Sequence, residues 1–166
     1  MSGSARIVRQ AVGAGRWFPD SSSALRKMVE GFIDKAENPP VPGRILSAVA
    51  PHAGYIYSGK VAGHVFRALR DKAAAGDSPE TVVVLGFSHR GGFPGVALMD
   101  GYSIRTPLGE TVLDQESANM IVETAGCASL DYTPHNGEWS AENEIPFVQA
   151  ALPNAKLVVG ILGDHA

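Results

Sequence analysis

The sequence predicts an α/β fold with a mostly parallel central sheet. Two observations lead to this prediction. Short runs of residues that are apolar on both strand faces alternate along the chain with amphipathic helical patterns, as in a parallel sheet covered on both sides. In addition, 45% of the 166 residues are apolar, which is enough for a packed core and excludes wholesale disorder. We therefore expect a single α/β domain over residues 1–166.

Apolar runs mark the strands, and each is bounded by glycine, proline or polar residues. The runs predicted as strands are Ile45–Ala50, Thr81–Leu85, Val96–Met99 and Leu157–Leu162. None is long enough to span a bilayer. The first two, with the helical pattern between them, predict a βαβ unit with a right-handed crossover.

Apolar residues spaced by three and four predict the helices. The helix after Asp114 has the clearest limits, because Asp114 is an N-cap residue and Gly126 is a typical residue after a helix end. Pro146 is expected to kink the last helix or to reset its start. The predicted helices are Ala24–Ala36, Gly59–Arg70, Gln115–Ala125 and Ala141–Leu152.

Charge and cysteine content narrow the classes of function. Seventeen acidic and 14 basic residues give a net charge of −3, which argues against general binding to nucleic acid or to an anionic membrane. Cys127 is the only cysteine, so it can form neither an internal disulfide nor a thiolate zinc site by itself. No targeting signal is visible near the N-terminus, and a cytoplasmic location is expected.

Two histidines follow two successive predicted strands. His52 comes directly after the first strand and His89 directly after the second. The carboxyl ends of parallel strands meet at one sheet edge, where ligands of α/β proteins bind. The two imidazoles can therefore share a metal ion there, although a catalytic metal site needs about three protein ligands.

Further candidates lie in the same loops and in a third polar cluster. Tyr55 and Ser88 are candidates for substrate binding or for supporting the ligands, and His135 is a candidate general acid or base. Glu138 can orient a histidine or a metal ligand. A packing role for Tyr55 and a plain loop position for His135 remain open alternatives.

Five segments together resemble the Memo family. Residues 51–59 (PHAGYIYSG) resemble its PHAGYxYSG signature, and 85–89 (LGFSH) resemble its LGPSH motif. Three further segments are similar to its AGxWYP, YxTPLG and HxxEHSLExxLPF motifs, namely residues 14–19, 102–109 and 135–147. Their order along nearly the whole chain makes the resemblance specific.

The resemblance implies a three-layer α/β/α fold similar to that of class III extradiol dioxygenases, which use non-haem iron. It places His52 and His89 at two metal-ligand positions. Iron is the cofactor it favours, while copper and zinc also suit imidazole ligands. Bacterial and archaeal relatives often belong to the AmmeMemoRadiSam system as protein B, so radical-SAM proteins of that system are expected partners, beside a small-molecule or peptide ligand. The oligomeric state is open.

The sequence departs from the family pattern in three ways. Trp139 stands where the family has a histidine, and an indole can neither bind a metal nor exchange a proton near neutral pH. Phe87 replaces a proline. The later SDxxHxG motif of the family is not reached, so the chain is predicted to be the N-terminal portion of a longer domain, with weak or no activity unless Asp164 or His165 supplies a further ligand.

Three functions therefore compete. The first is a metal-dependent redox protein with dioxygenase-like chemistry at the crevice of His52 and His89. The second is a non-catalytic module that binds a peptide or an anionic ligand at the N-terminus of the helix beginning at Gly59. A zinc hydrolase with His135 as general base ranks last, because the sequence has no HExxH cluster.

Overall fold

The computed structural model describes residues 7–163, and within them the chain forms seven strands and four α-helices. The predicted α/β class is confirmed. In chain order the elements are β1 (Val8–Gln10), α1 (Ser22–Asp34), α2 (Tyr55–Ala74), β2 (Thr81–Phe87), β3 (Val96–Leu98), β4 (Ser103–Thr106), β5 (Gly109–Val112), α3 (Gln115–Ala125), β6 (Ala128–Leu130), α4 (Ile145–Ala151) and β7 (Lys156–Leu162). Two 3₁₀ turns, Thr133–His135 and Glu142–Glu144, precede α4.

The central sheet is mixed rather than wholly parallel. Its strand order is β2-β7-β3-β6, with β7 parallel to β2 and β3 parallel to β6, whereas β3 and β7 are antiparallel. The prediction of a mostly parallel sheet is thus supported only in part. A second sheet, in the order β1-β4-β5, joins the N-terminal strand to a hairpin.

Helices lie on both faces of the central sheet. On one face α1, α2 and α4 pack together over a core that includes Leu157 and Val159 of β7. On the other face α3 packs over Leu98 and Val158. The alternation of Leu157 and Val158 between these cores is the two-residue period of a strand buried on both sides. None of the helices in the described part of the chain is long and apolar enough to cross a membrane.

Local capping signals place α1 and α3 close to their predicted limits. The Ser21 side chain accepts a hydrogen bond from the N–H of Ala24 at the start of α1. Asp114 caps α3 by accepting from the N–H of Ser117 at 3.1 Å, and Gly126 ends it with a left-handed φ of 63°. The last helix, α4, begins at Ile145 with Pro146 in its first turn. Of the two outcomes predicted for this proline, the structure thus shows a later helix start.

The predicted strand Ile45–Ala50 is wrong. The segment has no strand pairing, and Leu46 and Val49 are 86% and 93% exposed. An apolar run becomes a strand only where a partner offers backbone hydrogen bonds, and among residues 7–163 β2 pairs with β7 alone. The predicted βαβ unit is therefore not formed, and α2 begins at Tyr55, one turn before the predicted start at Gly59.

Two glycines of α2 allow close packing on α1. A Cβ at Gly59 would collide with the Phe32 ring, and a Cβ at Gly63 would lie 2.5 Å from the backbone oxygen of Phe32. Gly59 thus allows the two helices to pack closely. The Phe32 backbone cannot move without shifting α1, so Gly63 sets the separation of the two helices.

A buried carboxyl group lies just before α4. Among the described residues, Oε2 of Glu144 has no hydrogen-bond partner. Burial raises the pKa of Glu144 to about 8, so this carboxyl is mostly protonated in the folded protein at neutral pH.

We predict that Gly63→Ala lowers the free energy of unfolding by about 1–3 kcal/mol, because the added methyl overpacks against α1. Gly31→Ala is the matched control. Gly31 also lies in a helix, but a methyl group added there would meet no other atom within 4 Å, so alanine should stabilise by about 0.5–1 kcal/mol. Urea denaturation of both variants measures the difference, and equal effects would contradict the proposed packing.

We also predict that Glu144→Gln removes part of the pH dependence of stability. The pKa of this carboxyl is higher in the folded state than in the unfolded state. Its contribution to the stability of the folded state is therefore fully present below the unfolded pKa near 4.5, and it is lost as the pH rises through about 8. Each pKa unit corresponds to about 1.4 kcal/mol. In denaturation experiments at pH 5, 6.5 and 8, the free energy of unfolding should decline less with rising pH for Glu144→Gln than for the parent. The exposed Glu123→Gln should retain the parent slope.

Candidate functional site

Two loops bring His52 and His89 together at one end of β2. His89 is the second residue after β2, and His52 lies three residues before α2. The centroids of the two imidazole rings are 5.5 Å apart, with the ring planes 69° from each other. Phe87 contacts both rings, at centroid distances of 5.0 Å and 4.6 Å. The two predicted ligand residues are thus neighbours, even though the strand predicted to carry His52 does not form.

Glu138 fixes the tautomer of His89. Its Oε1 lies 2.8 Å from Nδ1 of His89, and its Oε2 accepts the His89 backbone N–H at 2.8 Å. An ionised carboxylate only accepts hydrogen bonds, so Nδ1 carries the proton. Whenever the ring is neutral, Nε2 then has the free lone pair that binds metals.

Hydrogen bonds keep Glu138 ionised although it is only 2% exposed. Burial by itself raises the pKa of this carboxyl. Bonds from the backbone and ring of His89, and from the N–H groups of Ser140 and Trp139, outweigh burial and hold the pKa of Glu138 below its ordinary value. The carboxylate is therefore available to accept from His89 near neutral pH.

The pKa of His52 is lowered as well. Burial is the main cause, the nearby His89 adds to it, and Glu138 opposes it. A lowered imidazole pKa favours the neutral ring. The surroundings of His52 therefore suit an unprotonated ring nitrogen.

Two tryptophans form an aromatic wall beside His89. The Trp139 ring stacks on the His89 ring at a centroid distance of 4.6 Å with an interplanar angle of 16°, and Trp17 stacks on Trp139 at 5.4 Å. Stacking on Trp139 holds the plane of the His89 ring. The hydrogen bond to Glu138 holds the orientation of the ring within that plane. The side of the His89 ring that faces Trp139 is thus covered by an aromatic surface.

Residues 138–143 connect the two histidine loops. The Ser140 hydroxyl donates to the carbonyl of Phe87 at 2.8 Å, and the Asn143 amide donates to the carbonyl of His52 at 2.7 Å. Gly86 makes this possible, because a Cβ there would collide with Ser140. The segment acts as a brace between the end of β2 and the start of α2.

A buried arginine holds this brace in place. The Arg9 guanidinium of β1 pairs with the Glu142 carboxylate and donates to the carbonyls of His135 and Glu138 at 3.0 Å and 2.7 Å. The other oxygen of Glu142 accepts the N–H of Gly13 at 2.7 Å. A charge this deeply buried is tolerated because its donors are satisfied.

The structure does not bring His135 into the crevice. Its side chain is 1% exposed and lies with Nε2 3.0 Å from the carbonyl of Ala97. Burial is the main cause that lowers the pKa of His135 to about 4, and the Ala97 hydrogen bond opposes it. This geometry supports a structural position and gives no support to His135 as a general acid or base.

Tyr55 and Ser88 are also largely enclosed. The Tyr55 hydroxyl donates to the carbonyl of Asn143 at 2.7 Å, and burial, followed by the charges of Glu144 and Glu142, raises the pKa of Tyr55 far above its ordinary value. Tyr57 is 79% exposed. The Ser88 hydroxyl, next to His89, accepts the N–H of Arg90 at 3.2 Å.

The donor set fits a metal at two positions. His52 and His89 supply two imidazoles, but residues 7–163 contain no group of three or more His, Cys, Asp or Glu side chains placed to hold a metal ion. The suggested substitutes Asp164 and His165 lie outside the described residues. Two imidazoles are fewer than the roughly three protein ligands that a catalytic metal site needs.

Three residues that shape the crevice were missed from the sequence. Arg9 and Asn143 carry no local signal, because their partners lie far away along the chain. Trp17 falls within a segment that resembles a family motif, yet nothing in that motif shows that its ring stacks on Trp139. Only the fold reveals these contacts.

Known proteins share sequence with this chain over most of its length. The family model described as Memo-like protein matches residues 9–164. A MEMO1 family protein of Methanopyrus kandleri is 39% identical over 148 residues, which are 85% of this chain and 51% of the relative. Relatives from Methanothermobacter thermautotrophicus and Thermococcus onnurineus are 35% and 34% identical, over 92% and 94% of this chain and 56% and 52% of their own lengths.

This chain thus spans about half the length of the curated relatives it matches. The family match nevertheless covers almost every described residue, including both histidine loops and the brace. The chain belongs to the Memo family.

Proposed function

We propose that the crevice between His52 and His89 binds a transition metal ion, with iron favoured over copper and zinc, for redox chemistry of the dioxygenase type. The observation that carries this proposal is the hydrogen bond from Nδ1 of His89 to Glu138. A histidine held in this way by a carboxylate is the usual arrangement of a metal ligand. The substrate is not identified by these residues.

Each residue of the crevice has a separate task in this proposal. His52 and the Nε2 atom of His89 would hold the ion. Glu138 keeps the His89 proton on Nδ1, and Asn143 holds the backbone of His52. The rings of Phe87 and Trp139 exclude water from one side of the imidazoles. A bound iron ion would supply the one-electron steps and oxygen binding that amino-acid side chains lack.

A binding module without turnover is the second candidate, and one observation weakens its anion-binding form. At the start of α2 the N–H groups of Tyr55 and Tyr57 are already bonded, to the carbonyls of Trp17 and Gly54 at 2.8 Å each. Fewer donors therefore remain for an anionic ligand. The stacked rings of Trp17 and Trp139 instead favour a planar or aromatic group in the crevice.

We predict that His52→Ala and His89→Ala each weaken binding of Fe(II), measured by anaerobic titration and by metal content after desalting. Loss of a ligand should exceed the roughly 10–100-fold loss typical of a supporting residue. His64→Ala is the matched control, because His64 lies exposed on α2 and bonds to Asn38. Equal iron binding by the parent and by both crevice variants would rule out the proposed site.

Glu138→Gln should weaken Fe(II) binding by about 10–100-fold without abolishing it. The amide cannot accept from His89, Trp139 and Ser140 together, so the imidazole loses its fixed tautomer. Glu144→Gln serves as control, since it removes a buried carboxyl from the same stretch with no bond to His89. Unchanged affinity in Glu138→Gln, with the fold intact by circular dichroism, would contradict the role of this hydrogen bond.

A further inference from the structure

A groove lies between α1 and α2 on the surface of the protein. Nine residues line it, and they come from the two helices and from the turn that ends α1. None of them belongs to the crevice of His52 and His89, so the groove is a separate feature of the surface. Its volume is about 660 Å³, within the roughly 300–1,000 Å³ of ordinary small-molecule sites.

The base of the groove is apolar and elongated. Ala24, Met28 and Gly31 follow one another at spacings of four and three residues, which places them along one side of α1 over about three helical turns of the lining. A methyl group added at Gly31 would meet no other atom within 4 Å, so this part of the groove is open space. Met28 and Phe32 pack against the main core but are only partly buried, so apolar surface remains available to a ligand.

Three lysines supply positive charge around this apolar base. Lys27 lies on α1, Lys35 is the C-cap residue of α1, Lys60 lies on α2, and all three are exposed. They are three of the five lysines in a chain whose net charge is −3. No acidic residue of the described part of the chain lines the groove. Positive charge is thus concentrated on this surface of an acidic protein.

The acidic residues of α1 do not neutralise the three lysines. Glu30 pairs with Arg26 one turn away, and Asp34 pairs with Arg70 of α2. Within residues 7–163 no side chain forms an ion pair with a groove lysine. Their ammonium groups are therefore free to bind an anion.

We propose that this groove binds a small amphipathic anion, with an elongated apolar chain along α1 and the anionic end at the lysines. The unpaired lysines select the charge of the ligand, and the base of Met28 and Phe32 selects its apolar body. Nine lining residues are fewer than the roughly 20–30 on each side of a stable protein–protein interface, which favours a small molecule over a partner protein. Lysine acts as a point charge, so a carboxylate and a phosphate end both suit it.

The test titrates the metal-free chain with dodecanoate and with dodecyl phosphate, each kept below its micelle concentration. Calorimetry measures the stoichiometry, and backbone amide shifts in NMR spectra locate the ligand. We expect one anion bound per chain, with shift changes concentrated in residues 24–36 and 60–64. Dodecyltrimethylammonium has the same apolar chain and the opposite charge, so it should not bind in the groove.

Variants of the groove separate the charge from the apolar base. The triple variant Lys27→Gln, Lys35→Gln, Lys60→Gln should weaken binding of dodecanoate by about tenfold, because exposed ion pairs are individually weak and three act together here. Gly31→Leu should abolish binding by filling the groove, and it should keep the fold because leucine is a better helix former than glycine. Lys156→Gln is the matched control, since Lys156 is exposed at the start of β7 and does not line the groove.

Equal binding of the anions and of the ammonium analogue would overturn the proposal. Unchanged affinity in Gly31→Leu, with the parent circular dichroism, would overturn it as well. Shift changes centred on His52 and His89 would assign the ligand to the crevice instead. Binding to phosphatidylglycerol vesicles without binding of either free anion would assign the lysines to a membrane surface and would also count against the proposal. Because no metal is present, these outcomes are separate from those of the iron titration.

Discussion

The crevice depends on one buried guanidinium. Arg9 lies on a three-residue strand far from the histidines in sequence, yet its bonds to the Glu142 carboxylate and to the carbonyls of His135 and Glu138 fix the path of the segment that holds His89. Removing one partner of such a buried pair costs about 3–5 kcal/mol, because the other charge remains without compensation. The small sheet that contains Arg9 is therefore part of the site's architecture.

Sequence patterns predicted those elements whose signals are local. The limits of α3 follow from Asp114 and Gly126, which act within one turn of the helix ends. The strand predicted at Ile45–Ala50 is wrong because an apolar run indicates only that a segment tends to be buried. A strand also needs a pairing partner, and no strand within residues 7–163 pairs with this segment. The hairpin of β4 and β5 escaped prediction for the opposite reason: Gly109–Val112 is short and polar, and only its pairing makes it a strand.

The candidate site also contains both residues that the sequence could identify and residues that only the fold reveals. His52, His89 and Glu138 could be singled out from motifs and from their positions after predicted strands, and they do lie together. Asn143 and Trp17 could not, because their roles exist only across long separations in sequence. His135 was singled out for its chemistry, but its imidazole is 1% exposed and lies 3.0 Å from the carbonyl of Ala97, which supports a structural position. Residue type alone does not show whether a side chain is buried or exposed.

Trp139 also shows that the position of a side chain matters as much as its chemical type. An indole cannot bind a metal ion. However, the Trp139 ring stacks on the His89 ring, with a centroid distance of 4.6 Å and an interplanar angle of 16°, and so holds the ring plane, which the hydrogen bond to Glu138 alone does not fix. Ordering a side chain upon binding costs about 0.5–1.5 kcal/mol, and a ring fixed beforehand avoids most of that cost. The indole of Trp139 therefore holds the neighbouring imidazole rigid. In the function proposed above, this rigidity favours binding at His89, because an indole beside the imidazole cannot exchange a proton near neutral pH.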